Sequence, residues 1–142
     1  MKKINVVKYN PENSGITGKS LRELRNALCA TINSAAIVVE VITHGILCGF
    51  LVIDRTNDVT YWSGDGFRTD SGGEGGRGYK AAVKMIESFG HNLQFVADFT
   101  DDPIVIDNDH EHNKRELLSI ANIIYDSDDA SFKCLAEIIP HY

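Results

Sequence analysis

The fold is decided by the stretch AIVVEVITHGILCGFLVIDRTNDVTYW, residues 36–62. It contains three apolar, β-branched runs, at residues 36–43, 46–53 and 59–62, separated by turn residues. His44-Gly45 suits a two-residue hairpin turn, and residues 55–58 form a second, polar turn. Because consecutive strands joined by turns this short run antiparallel, the stretch predicts a three-strand antiparallel meander.

The residues before the meander predict one strand and one helix. Residues 4–9 have the pattern of a short strand. Apolar side chains then recur at helical spacing, at Leu21, Leu24, Leu28 and Ile32. This spacing predicts a helix over about residues 20–33. Ser20 followed by Glu23 has the form of a capping box, so we expect the helix to begin at Ser20.

The residues after the meander add a glycine-rich run (residues 64–78), two helices and further strands. The first helix is expected from Tyr79 to a C-terminal cap at Gly90, and a strand follows over residues 93–99. A short apolar run (104–106), a helix after residues 107–109 and a final strand over 132–138 complete the pattern. We therefore expect a single α+β domain over residues 1–142. Its central, mainly antiparallel sheet would combine the meander with flanking strands and carry about three helices.

The charge and composition restrict the kind of partner. The formal net charge is −6, which argues against a non-specific nucleic-acid binder but leaves room for a local basic patch. No 18-residue apolar run and no secretory signal is present, so we expect no membrane partner. The three cysteines, Cys29, Cys48 and Cys134, are predicted to be buried and reduced. These features favour a cytoplasmic location.

The glycine-rich run is the strongest indication of function. Seven of the twelve glycines of the chain fall within residues 64–78. Glycine loses more backbone entropy on folding than other residues, so such a cluster calls for a reason, and the usual one is close approach of the backbone to a ligand. Main-chain amides exposed in this way at the start of a helix form an anion site. The run therefore predicts a loop that binds a phosphate-bearing small molecule.

Basic and aromatic side chains around the run suit a nucleotide. Arg68, Arg77 and Lys80 can neutralise phosphate, and Trp62, Phe67 and Tyr79 can stack on a base. The predicted site also contains five glycines: Gly72, Gly73, Gly75, Gly76 and Gly78. No committed nucleophile or acid–base pair lies near the run, so the sequence favours a non-catalytic binder, with no required cofactor and no catalytic residue assigned.

An enzymatic alternative rests on the order of the elements. A strand and helix, three antiparallel strands, a glycine loop with its helix, and then strand, helix and strand resemble the layout of the acyl-CoA N-acetyltransferase superfamily. The loop motif of that family begins with Arg or Gln, where this chain has Asp70 or Gly73. The resemblance implies a loop that holds the CoA pyrophosphate, with Tyr125 or Tyr142 as general acid, and a splayed pair of parallel strands beside the loop.

Two further expectations concern metal binding and assembly. Residues 107–112, DNDHEH, gather acidic and imidazole side chains, but their spacing suits a helix N-terminus better than a metal site, so we predict no metal. A meander in so short a chain leaves strand edges to cover, which favours a homo-oligomer. A structural or interaction protein with a solvated glycine loop is the third alternative.

Overall fold

The computed structural model describes residues 4–10, 16–44, 46–70, 72–93, 95–98 and 110–125. Within these ranges the chain forms nine elements, which are listed in chain order. They are β1 (Val6–Lys8), α1 (Thr17–Ala30), β2 (Ala36–His44), β3 (Leu47–Asp54), β4 (Val59–Trp62), β5 (Phe67–Arg68), α2 (Gly73–Ser88), β6 (Phe95–Asp98) and α3 (His110–Tyr125).

The strands form one mixed, mostly antiparallel sheet in the order β1-β4-β3-β2-β6. The meander is confirmed: β2 pairs antiparallel with β3, and β3 with β4. Both outer strands are parallel to their neighbours, β1 to β4 and β6 to β2. The short β5 pairs with β3 through Leu47 and Cys48, beyond the part of β3 that β4 covers. The prediction of an α+β fold is therefore confirmed.

The alternation of side chains along β2 separates two hydrophobic cores, one on each face of the sheet. Val39 and Val41 belong to the core that includes α3, and Val38 belongs to the core that includes α1 and α2. We call the side of the sheet that packs on α1 and α2 the α1/α2 face, and the side that packs on α3 the α3 face. The meander is covered by helices on both faces, which is why β3 is almost entirely buried after Leu47.

The turn between β3 and β4 is organised by a buried carboxylate. Asp54 accepts hydrogen bonds from the backbone N–H groups of Thr56 (2.9 Å) and Asn57 (3.0 Å), and from the Asn57 carboxamide (2.8 Å). Asp58 completes the turn with a left-handed backbone, φ 56°. The polar cluster predicted at residues 55–58 therefore forms the expected turn, fixed by the residue that precedes it.

The two ends of the described fold are joined by one side chain. The carboxamide of Asn122 in α3 accepts a hydrogen bond from the Ile4 N–H (2.8 Å) and donates one to the Ile4 carbonyl (3.1 Å). Ile4 is itself buried in the core of the α3 face. This reciprocal pair fixes the chain just before β1 against the last described helix.

Two predicted helix starts were wrong. α1 begins at Thr17, after Ile16 as N-cap without a side-chain cap bond, and ends at Ala30 instead of residue 33. Ser20 therefore does not cap the helix but lies buried inside it. Likewise, α2 begins at Gly73, six residues before the expected start at Tyr79. The expected run 104–106 and the final strand 132–138 lie outside the described residues.

Candidate functional site

The last six residues of the glycine-rich run are helical, which corrects the prediction that the whole run forms a loop. Gly73 to Gly78 form the first turn and a half of α2, and the Gly76 N–H bonds the Gly72 carbonyl at 2.8 Å. The non-helical part of the run therefore ends at Gly72. Local glycine propensity predicts a loop here, but packing of α2 on the sheet and on α1 stabilises the helix despite it.

Close packing explains several of the glycines. A Cβ atom on Gly78 would lie 2.2 Å from the Thr17 Cγ2 atom, and one on Gly66 would lie 2.7 Å from the Ile16 carbonyl. A Cβ on Gly75 would lie 2.8 Å from Cγ of Arg68. The absence of side chains at these positions thus allows α1, α2 and β5 to approach closely. This packing role was not recognised from the sequence, from which the glycines were predicted to contact a ligand.

Two hydroxyl groups of α1 hold the turn that leads into β5. The Thr17 hydroxyl donates to the Gly66 carbonyl (2.6 Å), and the Ser20 hydroxyl accepts from the Gly66 N–H (3.2 Å). Both backbone groups of Gly66 are therefore satisfied by α1. The first turn of α1 thus positions the segment that carries Arg68.

The start of α2 holds an anionic group of the protein itself. The carboxylate of Asp70 accepts two hydrogen bonds from the Arg68 guanidinium, at 3.0 Å from Nε and 2.7 Å from Nη2. It also accepts one from the Gly72 N–H at 3.1 Å, directly before the first residue of α2. These hydrogen bonds lower the pKa of Asp70, so the carboxylate is ionised at neutral pH. The constellation of guanidinium, main-chain amide and helix start therefore accommodates negative charge.

The remaining predicted basic residues lie on the outer surface of α2. Arg77 and Lys80 are exposed, and they follow the start of the helix by one and two turns. Gly72 is the N-cap, and Gly73 has a positive φ of 54° with open space around it. Arg68 and Asp70 are about two-fifths exposed, so solvent reaches the pair.

The predicted aromatic residues do not form a stacking surface together. Trp62 is buried in the core of the α3 face, and Phe67 in that of the α1/α2 face. The ring of Phe67 packs edge-on against Phe50, with the centroids 5.4 Å apart. Tyr79 is half-buried and stacks on Phe50 at 6.1 Å. These rings stabilise the domain interior, and none of them lies open beside Arg68.

A buried polar cluster beneath α2 was missed by the sequence reasoning. Glu40, near the middle of β2, accepts a hydrogen bond of 2.5 Å from the Tyr79 hydroxyl. Burial and the neighbouring Glu40 carboxylate raise the pKa of the Tyr79 hydroxyl. The sequence does contain an indication of this cluster, because Glu40 is the one charged residue in the apolar run 36–43. It lies on the same side of β2 as Val38.

The cluster also suppresses the reactivity of the nearest thiol. Cys48 is fully buried, and burial raises its pKa strongly, with further contributions from the negative charges of Glu40 and Asp65. The thiol is therefore protonated at neutral pH and is a poor nucleophile. Cys29, in contrast, is exposed, so the prediction of burial was right for Cys48 and wrong for Cys29. Cys134 lies outside the described residues.

A groove of about 440 Å³ lies beside α1, away from the glycine run. Lys8 and Tyr61, on neighbouring strands, are among its lining residues, and the Lys8 ammonium lies 5.9 Å from the centre of the Tyr61 ring. The other lining residues come from the end of β1 and from α1: Tyr9, Asn10, Glu23, Asn26, Ala27 and Ala30. None of the residues predicted to bind ligand lines this groove.

The sheet order bears on the acetyltransferase alternative. The strand that follows α2, β6, pairs with β2 and not with β4, from which the glycine run leaves. The parallel neighbour of β4 is β1, in register over three residue pairs. Among the described strands the structure thus brings no splayed parallel pair to the glycine run. Tyr142 and the side chain of Tyr125, the proposed general acids, lie outside the described part of the chain.

The side chains of the acidic and imidazole run 107–112 also lie outside the described part, although α3 begins at His110. Elsewhere, in the ranges that the structure describes, no three metal-ligating side chains come together. None of the described helices combines the length and hydrophobicity that a membrane span requires. Comparison with protein families, curated proteins and solved structures found no significant match.

Proposed function

We propose that this protein is a non-catalytic binder of a phosphate-bearing small molecule, a nucleotide or a signal derived from one, which it senses or sequesters. The proposal rests on the Asp70 carboxylate, which stands between the Arg68 guanidinium and the Gly72 amide at the start of α2. A phosphate oxygen suits the same donors, because guanidinium pairs with phosphate and carboxylate in the same bidentate geometry.

The surroundings of this position support phosphate in particular. The positive end of the α2 dipole favours an anion, and Gly72 as N-cap leaves no side chain over the first amides of the helix. Arg77 and Lys80 add two exposed positive charges within reach of a ligand that extends along α2. The base would lie outside the domain interior, since Trp62 and Phe67 are core residues.

In this proposal Asp70 competes with the ligand. The phosphate displaces the carboxylate from Arg68 and from the Gly72 amide, and Asp70 turns into solvent. The measured affinity then reflects how much more tightly these donors bind the phosphate than the Asp70 carboxylate.

We further expect the protein to act in the cytoplasm as a homo-oligomer, because the edge strand β1 exposes Val6.

A thermal-shift and calorimetric screen tests the proposal. The ligands are pyrophosphate, ATP, ADP-ribose, a cyclic nucleotide and acetyl-CoA. A ligand at 100 times its dissociation constant stabilises the folded state by about 2.7 kcal/mol, which raises the melting temperature by several degrees. We expect a response to at least one nucleotide. A response to acetyl-CoA alone would favour the enzymatic alternative, and no response to any ligand would refute binding.

Variants of the two paired residues locate the site. Asp70→Asn removes the competing charge and is expected to tighten phosphate binding about tenfold. Arg68→Lys keeps the aliphatic stem that packs on Gly75 but loses the bidentate fork, so binding should weaken by a similar factor. Arg115→Ala removes an exposed cation of α3 and is the matched control, so it should leave phosphate binding unchanged. Unchanged binding in both Arg68 and Asp70 variants would place the site elsewhere.

A further inference from the structure

Six positively charged side chains lie on the outer surface of α1 and α2. They form one row on each helix, Lys19, Arg22 and Arg25 on α1, and Arg77, Lys80 and Lys84 on α2, and all six are exposed. We call this set the basic helix face. Because both helices pack on the α1/α2 face of the sheet, their exposed sides are directed away from the sheet on the same side of the molecule.

The basic helix face contrasts with the charge of the whole chain. α1 and α2 carry three acidic residues, Glu23, Glu74 and Glu87, so the two helices have a net charge of +3 in a chain of net charge −6. Residues 98–142 have eleven acidic and three basic residues. Positive charge is thus concentrated on one helix layer, while α3, which belongs to the acidic part of the sequence, packs on the opposite face of the sheet.

The six cations are not neutralised within the described part of the chain. The ion pair described there joins Arg68 to Asp70, and none of the six has a carboxylate within salt-bridge distance among the described residues. Like charges repeated at intervals of three and four residues on one helix repel each other by a few tenths of a kcal/mol per pair. An external anion bound to these rows would relieve this repulsion.

The size of the basic helix face indicates the kind of anion. The row from Arg77 to Lys84 rises about 10 Å along α2, and axes of packed helices lie about 8–10 Å apart. A single phosphate contacts only one or two of these charges at a time. A ligand that uses the whole face therefore carries several anionic groups spread over a comparable length.

Although the net charge of −6 argues against non-specific nucleic-acid binding by the whole surface, it leaves room for a local basic patch. We infer that the basic helix face is such a patch and binds the phosphodiester backbone of a short single-stranded nucleic acid. The inference rests on the proposed phosphate site, with which it shares Arg77 and Lys80, and it extends that site towards Lys84 and across to Arg22. The face presents no exposed aromatic ring, so contacts are to phosphate and are independent of base sequence. Glu23, Glu74 and Glu87 on the same helices reduce the charge of this layer to +3 but leave it positive.

Fluorescence anisotropy with a labelled dT12 oligonucleotide tests the inference in the full-length chain. We expect binding whose association constant falls with salt, with a slope of log K against log salt of about −3 for four phosphate contacts. The double variant Arg22→Glu with Lys84→Glu should weaken binding at least about tenfold and reduce the slope. Circular dichroism checks its fold. The control Arg115→Glu reverses an exposed charge on α3 and should bind as the wild type does.

The outcomes separate this inference from the proposed function. If nucleotides bind but dT12 binds no more tightly than a mononucleotide, the inference is wrong and the small-molecule proposal stands. If dT12 binds and depends on Arg22 and Lys84 while mononucleotides do not bind, the inference stands and the small-molecule proposal fails. If Arg115→Glu weakens dT12 binding as much as the double variant does, the inference is wrong. It is also wrong if the protein shows salt-sensitive self-association and does not bind dT12.

Discussion

The hydroxyl of Tyr79 donates a hydrogen bond to the carboxylate of Glu40 across the interface between α2 and the sheet. Glu40 is only 4% exposed, so this bond satisfies a carboxylate in an apolar interior. The pair joins the helix that carries the candidate phosphate site to a central strand. Its loss should therefore affect the stability of the domain as well as the position of α2.

Tyr79→Phe is expected to destabilise the protein by about 1–3 kcal/mol, because the buried Glu40 carboxylate loses a donor. Glu40→Gln should cost less, since a neutral carboxamide is easier to bury. Urea denaturation followed by circular dichroism measures both values. The double variant should show a coupling energy of at least about 0.5 kcal/mol. Additive effects of the two substitutions would contradict a direct interaction.

Gly78→Ala is expected to destabilise the protein by about 1–3 kcal/mol, although alanine is the better helix former. The added Cβ would lie 2.2 Å from the Thr17 Cγ2 atom, so α1 and α2 must move apart. Thr17→Ser removes that methyl group and keeps the hydroxyl that bonds Gly66, so it should rescue part of the loss.

Gly18→Ala is the matched control for this measurement. Gly18 lies in α1, and a Cβ there meets no atom within 4 Å. The substitution should stabilise the protein by about 0.5–1 kcal/mol through helix propensity alone. Equal effects at the two glycines, measured by chemical denaturation, would show that helix packing does not require Gly78.

The turn carboxylate of Asp54 predicts a defined pH dependence. Burial opposes ionisation, but hydrogen bonds from Asn57 and Thr56 outweigh it and lower the pKa of Asp54 below 3.8. Because the folded-state pKa is lower than the unfolded one, the stabilisation is complete above about pH 5 and is lost as the pH falls through the folded value. Asp54→Asn should cost about 1–2 kcal/mol at pH 7.

The difference in stability between wild type and Asp54→Asn should shrink as the pH falls from about 5 to 2. Equilibrium unfolding at a series of pH values measures it. Asp58→Asn, a carboxylate-to-carboxamide change in the same turn, is the matched comparison. A constant difference across the pH range would show that the carboxylate charge does not stabilise the turn.

Cys48 should be inert to thiol reagents in the folded protein. Its side chain is fully buried and its pKa is raised, so little thiolate is available for reaction. In a Cys29→Ser, Cys134→Ser variant, a disulfide reagent should label Cys48 only after unfolding in denaturant. The single variant Cys134→Ser should react at once through the exposed Cys29. Rapid labelling of Cys48 in the folded state would require an open path into this core.

The meander was predictable because its information is local. The three β-branched runs and their turns predicted β2, β3 and β4 to within one or two residues. The starts of α1 and α2 were not predictable in this way, since they depend on contacts between distant residues. Ser20 resembles a cap in sequence, yet its hydroxyl bonds Gly66, 46 residues away. The parallel pairing of β1 and β6 is likewise set by tertiary packing.

For the candidate site, the sequence indicated the residue types around the glycine-rich run but not their arrangement. Arg68 was expected in a loop, but it lies at the end of β5 close to the start of α2. The sequence did not reveal that the Asp70 carboxylate pairs with its guanidinium. Gly75 and Gly78 were assigned to ligand contact, because a glycine required by packing and one required by a ligand look alike in a single sequence. Glu40 received no role, although a lone carboxylate in an apolar strand indicates a buried polar partner.

The reciprocal hydrogen bonds between Asn122 and Ile4 span 118 positions of the chain. They tie the segment just before β1 to a helix that is synthesised more than a hundred residues later. Loop-closure entropy delays such a contact until most of the domain is in place. The nascent chain can therefore form its central hairpins on the ribosome, while Ile4 is fixed only after α3 has formed. The amide protons of Ile4 and of α3 should then become exchange-resistant together.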